Sequence, residues 1–171
     1  MKNATHGAQI VAAARIDTPI GPMTALATAR GLAALRFDRC DPGDRGIDGV
    51  AADPEHPAIA AARRWLHAYW AGADTGAIEV PLDLRATSFQ RAVWTQLQRI
   101  PSGQTRSYAQ VAAAVGAGAV ARATGAACGA NPVGVIVPCH RVIGATGALT
   151  GYAGGLQRKA ALLRHEGARL A

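Results

Sequence analysis

The sequence has few cysteines and no long apolar run. Three of its 171 residues are cysteine, namely Cys40, Cys128 and Cys139. Their odd number and wide spacing argue against a disulfide framework, and no CxxC or paired His/Cys spacing indicates a structural zinc site. No apolar stretch approaches the roughly 18–20 residues that cross a bilayer, and the N-terminus shows no secretory signal. These features predict a cytoplasmic protein with no membrane partner.

Acidic residues are scarce in the second half of the chain. Residues 1–80 contain eight basic and nine acidic side chains, whereas residues 81–171 contain ten basic and two acidic ones, Asp83 and Glu166. The total charge of +7 therefore belongs to the second half. Such an asymmetry favours contact with a polyanion such as nucleic acid. The alternative is a basic surface that serves solubility alone.

The first half, residues 1–84, is predicted to form a small α/β subdomain. Residues 9–37 consist of three short apolar runs separated by turn residues, which is typical of a β-meander. Residues 58–71 have apolar side chains at helical spacing, and residues 77–84 suggest one more short strand. The intervening residues 38–57 are rich in Asp, Gly and Pro, which predicts a loop.

The second half, residues 85–171, is predicted to be mostly helical, so the fold class is α+β. Thr87 and Ser107 are candidate N-caps, and two of the helices are separated by a short glycine turn. That order is typical of a helix-turn-helix or winged-helix DNA-binding motif. The predicted elements are helices at 88–100, 108–116, 119–131 and 156–168, the last burying Leu156, Ala160 and Leu163, and a buried strand or extended segment at 133–137.

The third of these helices has an unusual composition. It consists almost entirely of Ala and Gly, including Ala121, Ala123 and Gly125, with Arg122 as its one long charged side chain. It lacks the side chains that read base edges in the major groove. A smooth helix of this kind can press against the minor groove while one long side chain enters the base stack. The alternative is a core helix whose small residues permit close packing.

Cys139 lies in the sequence Pro138-Cys139-His140-Arg141, directly after the apolar run. Positive neighbours favour a reactive thiolate, and cysteine with histidine is the usual pair for a sulfur nucleophile. In an extended segment, however, adjacent side chains point to opposite sides, so either the chain turns at Pro138 or a water joins the two groups. Glu166 is the candidate that orients the imidazole. The alternative is a structural cysteine with a surface histidine and a surface glutamate.

Residues Thr87 to Gly167 resemble the catalytic domain of the methylated-DNA–protein-cysteine methyltransferases. The resemblance rests on FQRAVWTQLQRIPSGQTRSYAQVA, AVARATGAACGANPVGVIVPCHRVIG and GALTGYAGGLQRKAALLRHEG. Residues 1–84 more loosely resemble the smaller, ribonuclease-H-like subdomain of that family. Departures from its pattern are Ser102, Thr124 and Cys128, and the last is expected to be an inert thiol.

The resemblance implies roles for residues around the thiol. Cys139 would accept the methyl group, His140 would act as base through a bridging water, and Glu166 would hold His140. Asn131 would be the hinge that ties the DNA-binding helix to the active-site loop.

The resemblance also implies residues that handle the DNA and the damaged base. Tyr108 would help to swing the nucleotide out and protonate the leaving guanine, and Arg122 would fill the gap in the duplex. Val142, Tyr152 and Ala153 would form the walls of the pocket.

The implied function is one irreversible methyl transfer per molecule, from O6-methylguanine and also O4-methylthymine in double-stranded DNA. No cofactor and no obligatory protein partner are expected of this monomer. A non-catalytic damage sensor would lack the cysteine, and a bifunctional regulator would need an additional zinc domain. A cysteine hydrolase would turn over, whereas this protein is expected to lose its activity stoichiometrically. A plain helix-turn-helix regulator would prefer one DNA sequence, whereas this helix lacks the side chains that read one.

Some relatives bind zinc in the N-terminal subdomain. In this sequence the available ligands, Cys40, His6, His56 and His67, show no ligand spacing, so no metal is expected.

Overall fold

The computed structural model describes residues 9–38, 49–116, 118 and 120–169. The chain divides into two compact units, Met1–Leu84 and Arg85–Ala171. Helices and two small sheets make up these units, which confirms the α+β class. Within the described residues, no helix has both the length and the apolar character needed to span a membrane. The ribonuclease-H-like assignment of the first unit stays a prediction.

The first unit contains the predicted β-meander. Strands β1 (Ala12–Ile16), β2 (Met23–Thr28) and β3 (Gly31–Phe37) pair antiparallel in the order β1-β2-β3. Alanine has a weak preference for strands, yet alanines at the inward positions of all three strands are buried. Their short side chains leave room for a helix to approach the sheet closely.

Helix α1 (Pro57–Trp70) packs against this sheet, as its helical spacing predicts. The ring Nδ1 of His56 accepts a hydrogen bond from the backbone N–H of Ala58 at 3.3 Å, which caps the helix. Proline follows at the first helical position, where its missing N–H costs nothing. The helix buries Ile59 and Leu66 among its apolar residues.

The predicted strand at 77–84 is wrong, because only a single bridge joins Leu82 to Leu32. Leu32 donates to the carbonyl of Pro81 at 2.7 Å and accepts from Asp83 at 2.9 Å. Pro81 has no N–H with which to extend the ladder. The close approach of the Pro81 segment to β3 depends on Gly31, since a Cβ on Gly31 would lie 2.6 Å from the Pro81 oxygen.

The second unit contains four helices within its described part. Thr87 and Ser107 both form capping boxes, with Gln90 and Gln110 respectively, which confirms the predicted N-caps. A two-stranded parallel sheet joins the start of one helix to the segment after Cys139. The elements are α2 (Ser88–Gln98), β4 (Arg106–Ser107), α3 (Tyr108–Val115), α4 (Ala121–Gly129), a 3-10 turn (Cys139–Arg141), β5 (Val142–Ile143) and α5 (Leu156–His165).

Helices α2, α3 and α4 pack together around a small core. Trp94 is buried in α2, and its indole N–H donates to the carbonyl of Ala127 in α4 at 2.8 Å. Residue 117, in the predicted glycine turn, and residue 119, the first of the predicted helix, lie outside the described residues. The helix-turn-helix assignment of α3 and α4 stays a prediction.

The prediction of a strand or extended segment at 133–137 is wrong, although the segment is mostly buried as expected. The chain forms a turn in which Val137 donates to the carbonyl of Val133 at 3.1 Å. Val135 adopts φ +70°, a left-handed conformation that costs a β-branched residue roughly 1–3 kcal/mol. Apolar content reports burial, and here it does not distinguish a strand from a buried turn.

The buried residues of helix α5 differ in part from the predicted ones. Ala160 and Leu163 are buried as expected, but Leu156 in the first turn is 47% exposed. Lys159 occupies the buried face instead, with none of its surface exposed.

Thr124 is expected to destabilise the second unit, because its buried hydroxyl has no hydrogen-bond partner among the described residues. Thr124→Val keeps the shape and removes the unsatisfied group, so the free energy of unfolding should rise by about 1 kcal/mol. Thermal unfolding measures the change. Thr95→Val is the matched control, because that exposed hydroxyl donates to the Arg91 carbonyl at 2.9 Å. Equal effects of the two substitutions would contradict the prediction.

Candidate active site

The chain turns directly after Pro138, which is one of the two arrangements that the sequence allowed. Residues Cys139–Arg141 form the 3-10 turn, in which Arg141 donates its backbone N–H to the Pro138 carbonyl at 3.0 Å. Cys139 stays partly exposed, whereas His140 and Arg141 are buried. The turn therefore sends the side chains of His140 and Arg141 into the interior and keeps Cys139 nearer to the surface.

Asn131 connects the end of α4 to this turn. Its side-chain amide donates to the Cys139 sulfur at 3.2 Å and to the carbonyl of Val137 at 2.8 Å, and its oxygen accepts from the N–H of Val133 at 3.0 Å. One side chain thus closes the buried turn and contacts the sulfur.

Glu166 is the centre of a buried polar cluster, and its side chain is 1% exposed. One carboxylate oxygen lies 2.7 Å from His140 Nε2, and Arg141 donates to both oxygens at 2.8 and 2.9 Å. Burial alone would raise the pKa of Glu166, but the hydrogen bonds from His140 and Arg141 lower it to about 2. The alternative of a surface histidine and a surface glutamate is therefore wrong.

His140 is held as a neutral base. Burial lowers its pKa, although the hydrogen bond and charge of Glu166 oppose that effect. Because Nε2 faces a carboxylate that can only accept, Nε2 carries the proton and Nδ1 is the basic nitrogen. Nδ1 is buried and has no partner in the described part of the chain, so it can accept a proton or a hydrogen bond.

The expectation that the positive charges of His140 and Arg141 lie beside the Cys139 sulfur is wrong for this structure. Both side chains are directed to Glu166 instead. Burial raises the pKa of Cys139 above its usual value, and the opposing contributions come from the Asn131 hydrogen bond and the charge of Lys159. The resting residue is a thiol that must lose its proton before it can attack.

Tyr108 lies between α4 and the glycine-rich loop at residues 144–155. A Cβ on Gly125 would contact its ring at 3.7 Å, and one on Gly151 would lie 3.6 Å from its hydroxyl. The hydroxyl donates to the carbonyl of Thr150 at 3.1 Å. Burial raises the pKa of Tyr108, so the phenol keeps its proton.

The three residues predicted to form the walls of the base pocket differ in solvent exposure. Val142 is fully buried, Tyr152 is half-buried and Ala153 is exposed. The Tyr152 ring meets His140 edge-on, with centroids 6.5 Å apart. Burial strongly raises the pKa of Tyr152, and the neighbouring Cys139 adds to that effect.

Helix α4 combines an open side with a packed side. Ala121 and Arg122 are exposed and Ala123 and Gly125 are partly exposed, while the opposite side buries Thr124, Ala127 and Cys128. The packed side agrees with the interpretation as a core helix, and the minor-groove interpretation of the open side stays a prediction.

Cys128 has the environment of an inert thiol. It is buried on the packed side of α4, and burial raises its pKa to about 12.

The residue-by-residue predictions missed two residues of this unit, Lys159 and Gly103. Lys159 carried a sequence signal, since it occupies a position on the apolar face of α5. Gly103, which follows α2, has φ +80°, and a Cβ there would lie 2.8 Å from the Glu166 backbone oxygen. Arg141, identified only as a cation beside the thiol, also donates to the carbonyl of Ile100 at 2.6 Å.

The described residues contain no group of three metal-ligating side chains. Of the possible zinc ligands, His56 caps α1, whereas Cys40 and His6 lie outside the described residues.

Comparisons with known proteins identify relatives of this chain. Residues 88–168 match the model of the 6-O-methylguanine DNA methyltransferase DNA-binding domain. A methylated-DNA–protein-cysteine methyltransferase of Mycobacterium tuberculosis is 47% identical over 90% of this chain and 91% of its own length. One from Salmonella typhimurium is 63% identical over 47% of each chain.

Solved structures show the same similarity. Mycobacterium tuberculosis OGT in complex with DNA is 45% identical, with a TM-score of 0.80 over 92% of this chain and 93% of its own. An O6-methylguanine-DNA methyltransferase from Pyrococcus kodakaraensis, 22% identical, shares the fold with a TM-score of 0.67 over 91% of this chain and 98% of its own. On the strength of the 47% identity over nine-tenths of its length, the chain belongs to the family of methylated-DNA–protein-cysteine methyltransferases.

Proposed function

We propose that this protein repairs alkylated DNA directly, by moving the methyl group of O6-methylguanine onto Cys139 once and irreversibly. The observation that carries the proposal is the partly exposed Cys139, whose sulfur contacts Asn131, followed in the chain by a neutral His140 that Glu166 holds in one tautomer. Double-stranded DNA that contains the lesion is the partner, O4-methylthymine is a second substrate, and the cytoplasm is the compartment.

The chemistry is a displacement at the methyl carbon. A water relays the Cys139 proton to His140 Nδ1, and the resulting thiolate attacks. The sulfur–carbon bond forms as the bond from carbon to guanine O6 breaks, and the electron pair leaves with the guanine. Tyr108 supplies the proton that neutralises the leaving base. The protonated His140 then returns a proton to the Tyr108 phenolate through water. The thioether has no equivalent reverse path, so each molecule reacts once.

The target atom is inside the duplex, so the nucleotide must first be extruded. The open side of α4 offers small residues that fit closely against the minor groove, and Arg122 is the side chain long enough to occupy the vacated position. Val142, Tyr152 and Ala153 then surround the base.

A damage sensor is not favoured, because such a protein needs no nucleophile. Here Cys139 is present together with the base and the carboxylate that orients that base.

Intact mass after incubation with a duplex that carries one O6-methylguanine tests the proposal. The expected result is a gain of one methyl group that stops at one per chain, with the lesion converted to guanine in equal amount. An unchanged mass with the lesion bound would indicate a sensor. Repeated repair without a mass change would indicate a turnover enzyme.

Arg122→Ala is expected to slow methyl transfer from duplex DNA by about 10- to 100-fold, because the extruded nucleotide is no longer replaced in the stack. Transfer from the free O6-methylguanine base should be unchanged, since no extrusion is needed. Single-turnover rates with both substrates measure this difference. Arg164→Ala removes the same charge from another exposed position and is the control. An equal loss with the free base would contradict the role of Arg122.

A further inference from the structure

A cavity that the proposed chemistry does not use lies between α2, β4 and α3 of the second unit. Its volume is about 280 Å³. Two arginines and two glutamines form its polar lining, namely Gln96 and Arg99 at the end of α2, Arg106 of β4 and Gln110 of α3. These residues are separate from those assigned to the nucleophile, the base pocket and the DNA-binding helix, so the cavity needs an explanation of its own.

The two arginines of this cavity have no acidic partner. Arg99 and Arg106 are both exposed, and none of the ion pairs within the described residues includes either of them. Arg106 donates to the carbonyl of its neighbour Thr105 at 3.4 Å, which leaves its charge uncompensated. Residues 85–171 contain ten basic side chains and one acidic side chain, Glu166, which already belongs to the buried cluster. The positive charge at the cavity is therefore available to a bound anion.

The two glutamines add hydrogen-bond donors to the same cavity. The side-chain oxygen of Gln110 accepts from the backbone N–H of Ser107 at 2.8 Å, as part of the capping box of α3. Because that oxygen is engaged, the NH₂ group is what Gln110 offers to a ligand. Gln96 is half-buried and provides a second amide. The lining thus contains four side chains that donate hydrogen bonds and no carboxylate.

The rest of the lining is apolar. Ile100 and Val111 are buried, and Ala114 is exposed. The carbonyl of Ile100 accepts from Arg141 at 2.6 Å, which fixes this side of the cavity to the buried cluster. An inorganic anion makes no use of an apolar surface, whereas a ligand with an apolar body covers it. The cavity is close to the lower limit of small-molecule sites, about 300 Å³, so it suits a small ligand that combines an anionic group with such a body.

We propose that this cavity is a second binding site of the protein, for a small molecule of the nucleoside monophosphate class. A guanidinium pairs with two phosphate oxygens at once, and a second guanidinium stacks on the plane of a base. The amides of Gln96 and Gln110 match the donor and acceptor pattern of a base edge. The inference goes beyond the proposed function, because binding at this site requires neither DNA nor methyl transfer.

Isothermal titration calorimetry of the full chain with adenosine 5′-monophosphate (AMP), in the absence of DNA, tests the inference. One molecule should bind per chain, and adenosine, which lacks the phosphate, should bind about tenfold more weakly or less. Arg106→Gln removes the charge from an exposed position, so the dissociation constant for AMP should rise about tenfold or more. Arg164→Gln makes the same change at an exposed position of α5 and should bind AMP like wild type.

Ala114→Leu separates binding inside the cavity from attraction to a positive surface. Leucine occupies part of the cavity, keeps every charge and is a good helix former, so the protein should fold and its affinity for AMP should fall about tenfold. Wild-type affinity in either Ala114→Leu or Arg106→Gln would overturn the inference.

Two competition experiments test whether AMP binds elsewhere. They use the Cys139→Ser protein, which cannot accept a methyl group. Neither the free O6-methylguanine base nor an undamaged DNA duplex should displace AMP. Displacement by the base would place AMP in the alkyl-transfer pocket, and displacement by the duplex would assign the two arginines to DNA contact. Either result would overturn the assignment of a separate nucleotide site.

Discussion

Cys139→Ser is expected to abolish methyl transfer while leaving the affinity for lesion-containing DNA nearly unchanged. A serine hydroxyl loses its proton far less readily than a thiol, and the neutral base His140 cannot make up the difference. The single-turnover rate should therefore fall by about a thousandfold or more. The substituted position is the partly exposed residue of the turn, and its partner Asn131 can donate to an oxygen as it does to the sulfur. Intact mass and a gel-shift titration measure the two properties.

Cys128→Ser is the matched control for that experiment. The thiol is buried in α4 with a pKa of about 12, so it cannot replace Cys139 as the nucleophile. The control should gain one methyl group at close to the wild-type rate. A methyl group on Cys128 in the Cys139→Ser protein would contradict the assignment of a single acceptor.

Local patterns predicted the helices well, and the reason is physical. The apolar spacing of residues 88–100 and the caps Thr87 and Ser107 act within one or two turns of chain, so the sequence contains all the information needed. The three-stranded meander was equally predictable, because its turns are marked by glycine and proline.

Elements that depend on distant partners were not predictable in the same way. The turn at 133–137 exists because the Asn131 side chain satisfies the backbone groups of Val133 and Val137 that a neighbouring strand would otherwise bond. The segment 77–84 is limited to one bridge because Pro81 has no donor. Neither effect appears in apolar content alone.

The candidate site also contains residues that the sequence identified and contacts that only the fold determines. Cys139, His140 and Glu166 were identified from residue types and from the family resemblance, and the structure places His140 beside Glu166 at 2.7 Å. The source of charge near the thiol was assigned wrongly, because adjacency in sequence suggested His140 and Arg141. The side chain that contacts the sulfur is instead Asn131, whose amide nitrogen donates to it at 3.2 Å.

Glu166→Gln is expected to lower the free energy of unfolding by about 3–5 kcal/mol, because it leaves the buried guanidinium of Arg141 without its charged partner. The groups around the carboxylate are donors: His140 Nε2, two nitrogens of Arg141 and, at 3.5 Å, the N–H of Gly103. An amide nitrogen placed among them has nothing to donate to. Urea unfolding at neutral pH measures the loss. Transfer should also slow by about a hundredfold or more, since the tautomer of His140 is no longer fixed.

The pH dependence of stability separates this effect from a general disturbance of packing. The pKa of Glu166 is lowered from 4.5 to about 2, so its contribution is complete above pH 4.5 and is lost as the pH falls towards 2. His140, whose pKa is also lowered, adds a loss that begins below its ordinary value of 6.5. Glu166→Gln should therefore show a flatter decline between pH 4.5 and 2 than wild type. Glu55→Gln, at an 82% exposed carboxylate that faces Arg63, makes the same chemical change and should cost less than about 1 kcal/mol. An acid decline as steep in Glu166→Gln as in wild type would mean that other carboxylates, and not this buried cluster, set the acid stability of the second unit.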